Sequence, residues 1–247
     1  MNETKYIVIF LLPEPQKISR ACTSNIIKTD KKPYLVTVTY TCEDELEDGD
    51  SGRKFGAIIS NNYVLTSLNK QVQSGKCDFT VLVGADAHNQ GGKKYNAELK
   101  KIKRNENLSL LELEEPLTFD SNAQPIELID QKPKKGEQAT MTILVGNPGS
   151  ERILGNFRTS FTISDVNDCK ELLYLRSDIE EFSSFSNSFC NVPFQYNCPS
   201  NDDSVVIIRD KLAGFMNRVY FTESVEPLFS ISDVAHLKDE IENIAGI

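Results

Sequence analysis

The chain of 247 residues has no tryptophan, three methionines and two histidines. The shortage of histidine excludes most. Any reaction that needs an imidazole base has only His88 and His236 to draw on. His88 stands in the polar stretch Asp86–Gln90 and His236 in the terminal helical pattern, and both read as surface positions. Positive charge is also in deficit: 27 Lys and Arg against 36 Asp and Glu leave a formal net charge of −9. That balance lacks the basic footprint of a nucleic-acid binder and disfavours anionic membrane surfaces. No apolar run is long enough to span a bilayer. The run Ile7–Leu12, behind Lys5 and followed by Pro13, resembles an abbreviated secretory signal without a clear small-residue cleavage site. Residues 1–19 are therefore expected to be a degenerate signal or pro segment, residues 20–247 the folded domain, and the protein secreted. The six cysteines include no C-x-x-C pair, so a zinc ribbon is disfavoured. Their even number suits an oxidising compartment. No metal or cofactor is expected.

Hydrophobic residues at 39% and charged residues at 26% fit an ordinary soluble protein. The length allows one sizeable core or two smaller ones packed together. Strand signals dominate. Tyr34, Val36, Val38 and Tyr40 alternate with Leu35, Thr37, Thr39 and Thr41, a period-two pattern rich in β-branched residues. Further short runs follow at Gly56–Ser60, Val64–Ser67, Phe79–Val83, Leu110–Leu113, Thr140–Val145, Val205–Ile208 and Leu212–Met216. Many short strands with frequent turns predict an all-β sandwich or barrel. One helix is predicted at the C-terminus, where Val234, Leu237, Ile241 and Ile244 recur at helical spacing, with Ser232 or Asp233 as N-cap. A weaker helical pattern covers Asp165–Leu175. The stretch from Cys42 to Gly52, CEDELEDGDSG, reads as a solvated acidic loop.

Local segments then become specific. Lys32–Val38 (KPYLVTV), Phe55–Lys70 (FGAIISNNYVLTSLNK), Glu106–Leu113 (ENLSLLEL), Pro116–Leu117, Pro125–Ile126, Asp168–Lys170, Ser188–Cys190, Cys198–Ile208 (CPSNDDSVVII) and Lys211–Phe215 (KLAGF) follow one another in order. Together they resemble the trypsin-like serine proteases, over roughly residues 20 to 247. The resemblance implies two six-stranded antiparallel β-barrels followed by a C-terminal α-helix.

The same resemblance places the chemistry, and each position is altered. The family's histidine falls on Asn69, whose amide cannot take a proton near neutral pH. The orienting aspartate falls on Asn107, and the nucleophilic serine on Asp202. The oxyanion glycine becomes Ser200. The aspartate that pairs with the new N-terminus after zymogen cleavage becomes Asn201, and the residues after Arg20 are Ala21, Cys22, Thr23 and Ser24. Tyr196 falls at the floor of the specificity pocket. Val219 and Leu228 fall at its two wall glycines and Arg218 at its backing tryptophan, which implies an occluded pocket. The sequon at Asn107-Leu108-Ser109 would lie in the interior, so no glycan is expected there.

The resemblance also orders the cysteines. Two family bridges fall on Phe55 with Lys70 and on Thr140 with Ile208, both halves absent each time, whereas Cys169 and Cys190 keep both halves of a third. The family fold brings the loops of Cys42 and Cys77 together, which implies that they pair and leaves Cys22 to pair with Cys198 by elimination. Four cysteines allow three connectivities, so the other pairings stay open. The implied function is that of a non-catalytic, secreted, monomeric homologue that binds an extracellular protein. It is similar to arthropod serine protease homologues and, in its altered pocket and cysteines, most similar to the inactivated protease paralogues of parasitic mites, which interfere with host defence such as complement. Two alternatives stand beside this: a hydrolase with a carboxylate-based site at Asp202 and Asp203, and a structural protein without a defined partner.

Overall fold

The computed structural model describes residues 27–28, 32–43, 51–85, 91–102, 107–146, 153–165, 167–169, 188–191, 204–221 and 227–247. In chain order they form β1 (Ile27–Lys28), β2 (Leu35–Cys42), β3 (Ser51–Ile58), β4 (Tyr63–Ser67), a short helix α1 (Lys70–Ser74), β5 (Cys77–Val83), β6 (Lys93–Lys101), β7 (Leu108–Leu113), β8 (Gln138–Gly146), β9 (Ile153–Thr162), β10 (Ser188–Asn191), β11 (Ser204–Ile208), β12 (Lys211–Phe221), β13 (Pro227–Asp233), a 3-10 turn (Ala235–Leu237) and α2 (Lys238–Ala245).

The first six-stranded set closes on itself in the order β2-β3-β4-β7-β6-β5, and all its pairings are antiparallel. The alternation of β2 puts Val36, Val38 and Tyr40 into its interior. The second set runs β9-β8-β11-β12-β13-β10, with β1 added at the β9 edge. Its open side is drawn together by an isolated bridge from Ser164 to Cys190. This is the expected pair of six-stranded barrels, one closed and one nearly so, with the terminal helix after them.

Strand β7 explains how the barrels join. Its run LSLLEL has no polar–apolar alternation because both of its faces are covered. Leu111 and Leu113 point into the first barrel, while Leu108 and Leu110 join a shared cluster with Phe55, Leu65, Val205 and Phe215. Leu237 and Ile241, from the 3-10 turn and α2, complete that cluster. Strand β6 was not signalled by the sequence pattern, because its outward residues are lysine, asparagine and glutamate. Its inward set is nonetheless apolar: Ala97 is buried, and Tyr95 and Leu99 pack against the barrel core. The hairpin from β11 to β12 turns on Arg209 and Asp210, both at positive φ (52° and 59°), the two-residue geometry whose twist matches the flanking strands.

At the C-terminus, Ser232 stays within β13. So does Asp233, and neither is the expected N-cap: Val234 precedes the 3-10 turn and Leu237 precedes α2, both without a side-chain cap bond. Asp233 Oδ1 accepts the Ala235 amide at 3.0 Å. Its side chain is almost wholly buried, and burial pushes its carboxyl above the ordinary range. The strand expected at Gly56–Ser60 ends at Ile58, because Ser60 Oγ accepts the Tyr63 amide at 3.2 Å and turns the chain. Of the helix expected over 165–175, residues 167–169 are helical, Asp165 is not, and 166 and 170–175 lie outside the described residues.

A charge clamp ties α2 to the second barrel. Asp130 accepts from Lys211 Nζ at 2.7 Å and from Lys238 Nζ. Lys238 also faces Glu242 at 3.5 Å. The two ammonium donors, Lys211 first, hold the Asp130 carboxyl down at about 2. A depressed carboxylate contributes stability that is present above its unfolded pKa and lost as pH falls through the folded one. The clamp should therefore weaken between about pH 4 and pH 2. Asp130→Asn should flatten the dependence of the urea midpoint on pH in that window while leaving its shape above pH 5 unchanged.

Candidate functional site

Two loops that end β4 and begin β7 meet at one point. Ser67 is the register partner of Leu108, and the Leu68 amide donates to the Asn107 carbonyl at 2.9 Å. The residue before Asn69 is thereby bonded to Asn107. The local frame is rigid. Thr66 is fully buried and its hydroxyl donates to the Phe55 carbonyl at 2.7 Å. Gln73 donates from Nε2 to the Leu68 carbonyl at 2.8 Å.

Asn69 has taken a structural task. It is exposed, and its Oδ1 accepts the Val72 amide at 2.8 Å, so it is the N-cap of α1. Its backbone carbonyl accepts the Gln73 amide at 3.1 Å. The side chain has neither a basic nitrogen nor an idle acceptor aimed at a substrate. The cap was legible in principle, since asparagine directly before KQVQS is a helix-start signal. Asn69→Ala should cost about 1 kcal/mol in chemical denaturation, and Asn69→Asp close to nothing, because aspartate caps equally well.

Asn107 is half-buried, and the serine of its sequon, Ser109, is wholly buried within β7. Asp202, Ser200, Asn201 and Tyr196 lie outside the described residues. Ser204, two residues beyond Asp202, is the buried first residue of β11 and pairs with Ile143. Val219 and Leu228 sit at adjacent register positions of the β12–β13 ladder, opposite Phe229 and Tyr220. His236 is exposed on the 3-10 turn, and His88 lies outside the described residues. Among the described residues no group of three or more His, Cys, Asp or Glu could hold a metal ion, and no helix is long and apolar enough to cross a membrane.

The cysteine pattern is resolved in part. Cys42 pairs with Cys77, and Cys169 with Cys190. Cys22 and Cys198 lie outside the described residues. Thr140 stands opposite Ile207, beside Ile208, where a family bridge would have closed. Residues 28–171 match the sequence model of the trypsin family. The chain belongs to the trypsin family.

Solved structures of trypsin-family fold agree. Inactivated protease paralogue S-D1 of the scabies mite superposes with a TM-score of 0.71 at 21% identity, covering 90% of this chain and 97% of that one. Paralogue S-I1 of the same mite gives 0.64 at 19%, covering 90% and 99%. HL collagenase gives 0.68 at 17%, covering 90% and 98%. At these identities the likeness is one of fold. Within the trypsin family this chain therefore keeps the two-barrel frame, with amides at two positions where the resemblance puts an imidazole and a carboxylate.

Proposed function

We propose that this chain is a pseudoprotease, a trypsin-family scaffold that binds an extracellular protein and hydrolyses nothing. The observation that carries the reading is Asn69: the base position holds an amide already engaged as the cap of α1. Asn107 is neutral, so even a repositioned imidazole would have no carboxylate to orient it. Asp202 at the nucleophile position, Ser200 at the oxyanion position, and Tyr196, Val219 and Leu228 at the pocket positions remove the other parts in the same reading. The two disulfides fit an oxidising, extracellular setting, and the net charge of −9 offers nothing to nucleic acid or an anionic membrane.

A scaffold stripped of chemistry acts through its loops. The partner we propose for this monomeric ligand is a host defence protein of the complement kind, a choice that rests on the resemblance of the sequence to the mite paralogues. The test is affinity capture from host plasma with the immobilised protein, run beside a variant in which the acidic residues of 43–50 are neutralised. A single plasma protein should be retained saturably by the native chain. Recovery of no saturable binder would favour a structural role and end this reading.

A further inference from the structure

The two described disulfides differ in kind. Cys169 and Cys190 are both wholly buried. Among the described residues the ladder contact between their segments is the single Ser164–Cys190 bridge. Cys42 and Cys77 are both half-buried at strand ends. They are direct register partners, and β2 and β5 pair continuously from Thr37–Leu82 to Cys42–Cys77. The strand pair continues past them, where the Glu43 amide donates to the Lys76 carbonyl at 2.8 Å and the two side chains face each other at 3.8 Å. The bond at Cys42–Cys77 thus joins strands that backbone hydrogen bonds already hold on both sides of it.

We infer that Cys42–Cys77 is a thiol-exchange site, opened by an extracellular dithiol reductant of the thioredoxin class while Cys169–Cys190 stays closed and the barrels stay folded. Exchange requires a thiolate to reach a disulfide sulfur, and of the two described pairs Cys42–Cys77 is the one that is not wholly buried. A thiolate of the donor attacks one of the two sulfurs, forming a mixed disulfide, and the other cysteine leaves as a thiolate and takes up a proton. The donor's second thiol then attacks the mixed disulfide. Cys42 and Cys77 end as two thiols, and the donor ends oxidised to its own disulfide.

The exchange has a structural consequence at Asn69. Cys77 Sγ lies 3.4 Å from the Val72 carbonyl, and the Val72 amide is the group that Asn69 caps. The disulfide sulfur therefore packs against α1 without a hydrogen bond, since it carries no proton, while Asn69 caps the helix. Opening the disulfide loosens α1 and alters the surface around the former base position. This inference stands independently of whether the chain binds a partner.

The test is a time course with a regenerating thioredoxin system under native conditions, read by differential alkylation and peptide mass spectrometry. Cys42 and Cys77 should become alkylated at least about tenfold faster than Cys169 and Cys190, in keeping with the dependence of exchange on access. Amide exchange at Val72–Ser74 should quicken while that of β7 stays unchanged. Cys42→Ser with Cys77→Ser should fold and show the same fast exchange at α1 in the absence of reductant. Opening of both disulfides at one rate, unchanged protection of α1, or failure of the double variant to fold would each overturn the inference.

Discussion

Gly214→Ala should destabilise the chain by about 3 kcal/mol, the upper range for overpacking a filled core, and lower its melting temperature by roughly 6–12 °C. Gly214 is buried in β12 between β11 and β13, opposite Val206 and Asp233. A methyl group there would sit 2.2 Å from the Ser232 carbonyl oxygen, 2.7 Å from Ile231 Cγ2 and 3.2 Å from Phe189 Cε1. The nearest of these is backbone and cannot swing away. The strands must part, and in parting they disturb the buried Asp233. Gly136 supplies the control. Its φ of +87° is unfavourable for alanine, yet a methyl group there meets nothing within 4 Å. Gly136→Ala should therefore cost only the backbone strain, about 1 kcal/mol. Urea unfolding of the two variants separates collision from strain.

Removal of both Cys169 and Cys190 as alanines should cost about 3 kcal/mol, the loop-closure value for a link of this span. The sequence separation is 21 residues. The penalty arises largely in the unfolded chain, which regains the freedom the bridge removed. It also has a native-state part here, because the bridge draws β10 toward the open side of the second barrel, beside the Ser164 amide that donates to the Cys190 carbonyl at 2.9 Å. The single variants should fare worse than the double, since each leaves a thiol free to mispair. Calorimetry of the single and double variants gives the comparison. A melting temperature for the double variant equal to that of the parent would show that the bridge adds nothing to the barrel.

What the sequence made legible follows from where the physics is local. The alternation in β2 and the heptad-like spacing of Val234, Leu237, Ile241 and Ile244 are local signals, and each matches its element. Strand β6 escaped because a barrel strand needs only one apolar face, and Lys93, Lys94, Lys100 and Lys101 hid the alternation of Tyr95, Ala97 and Leu99. Strands β9 and β13 carry too little periodicity to stand out, being held by their neighbours in the sheet. The pairing of Cys42 with Cys77 came from the family frame alone, because nothing in their spacing places one strand end beside another. At the site, the identities of Asn69 and Asn107 were legible at once as amides in the wrong places for catalysis. The role of Asn69 as a cap is also a local signal, an asparagine directly before KQVQS.

A pseudoprotease has no activated serine to be labelled. The direct measurement is incubation of the purified chain with a fluorescent active-serine phosphonate, with trypsin alongside as the reacting control, followed by intact mass spectrometry. An unchanged mass is expected for this chain at reagent excess. Stoichiometric labelling of one residue would contradict it.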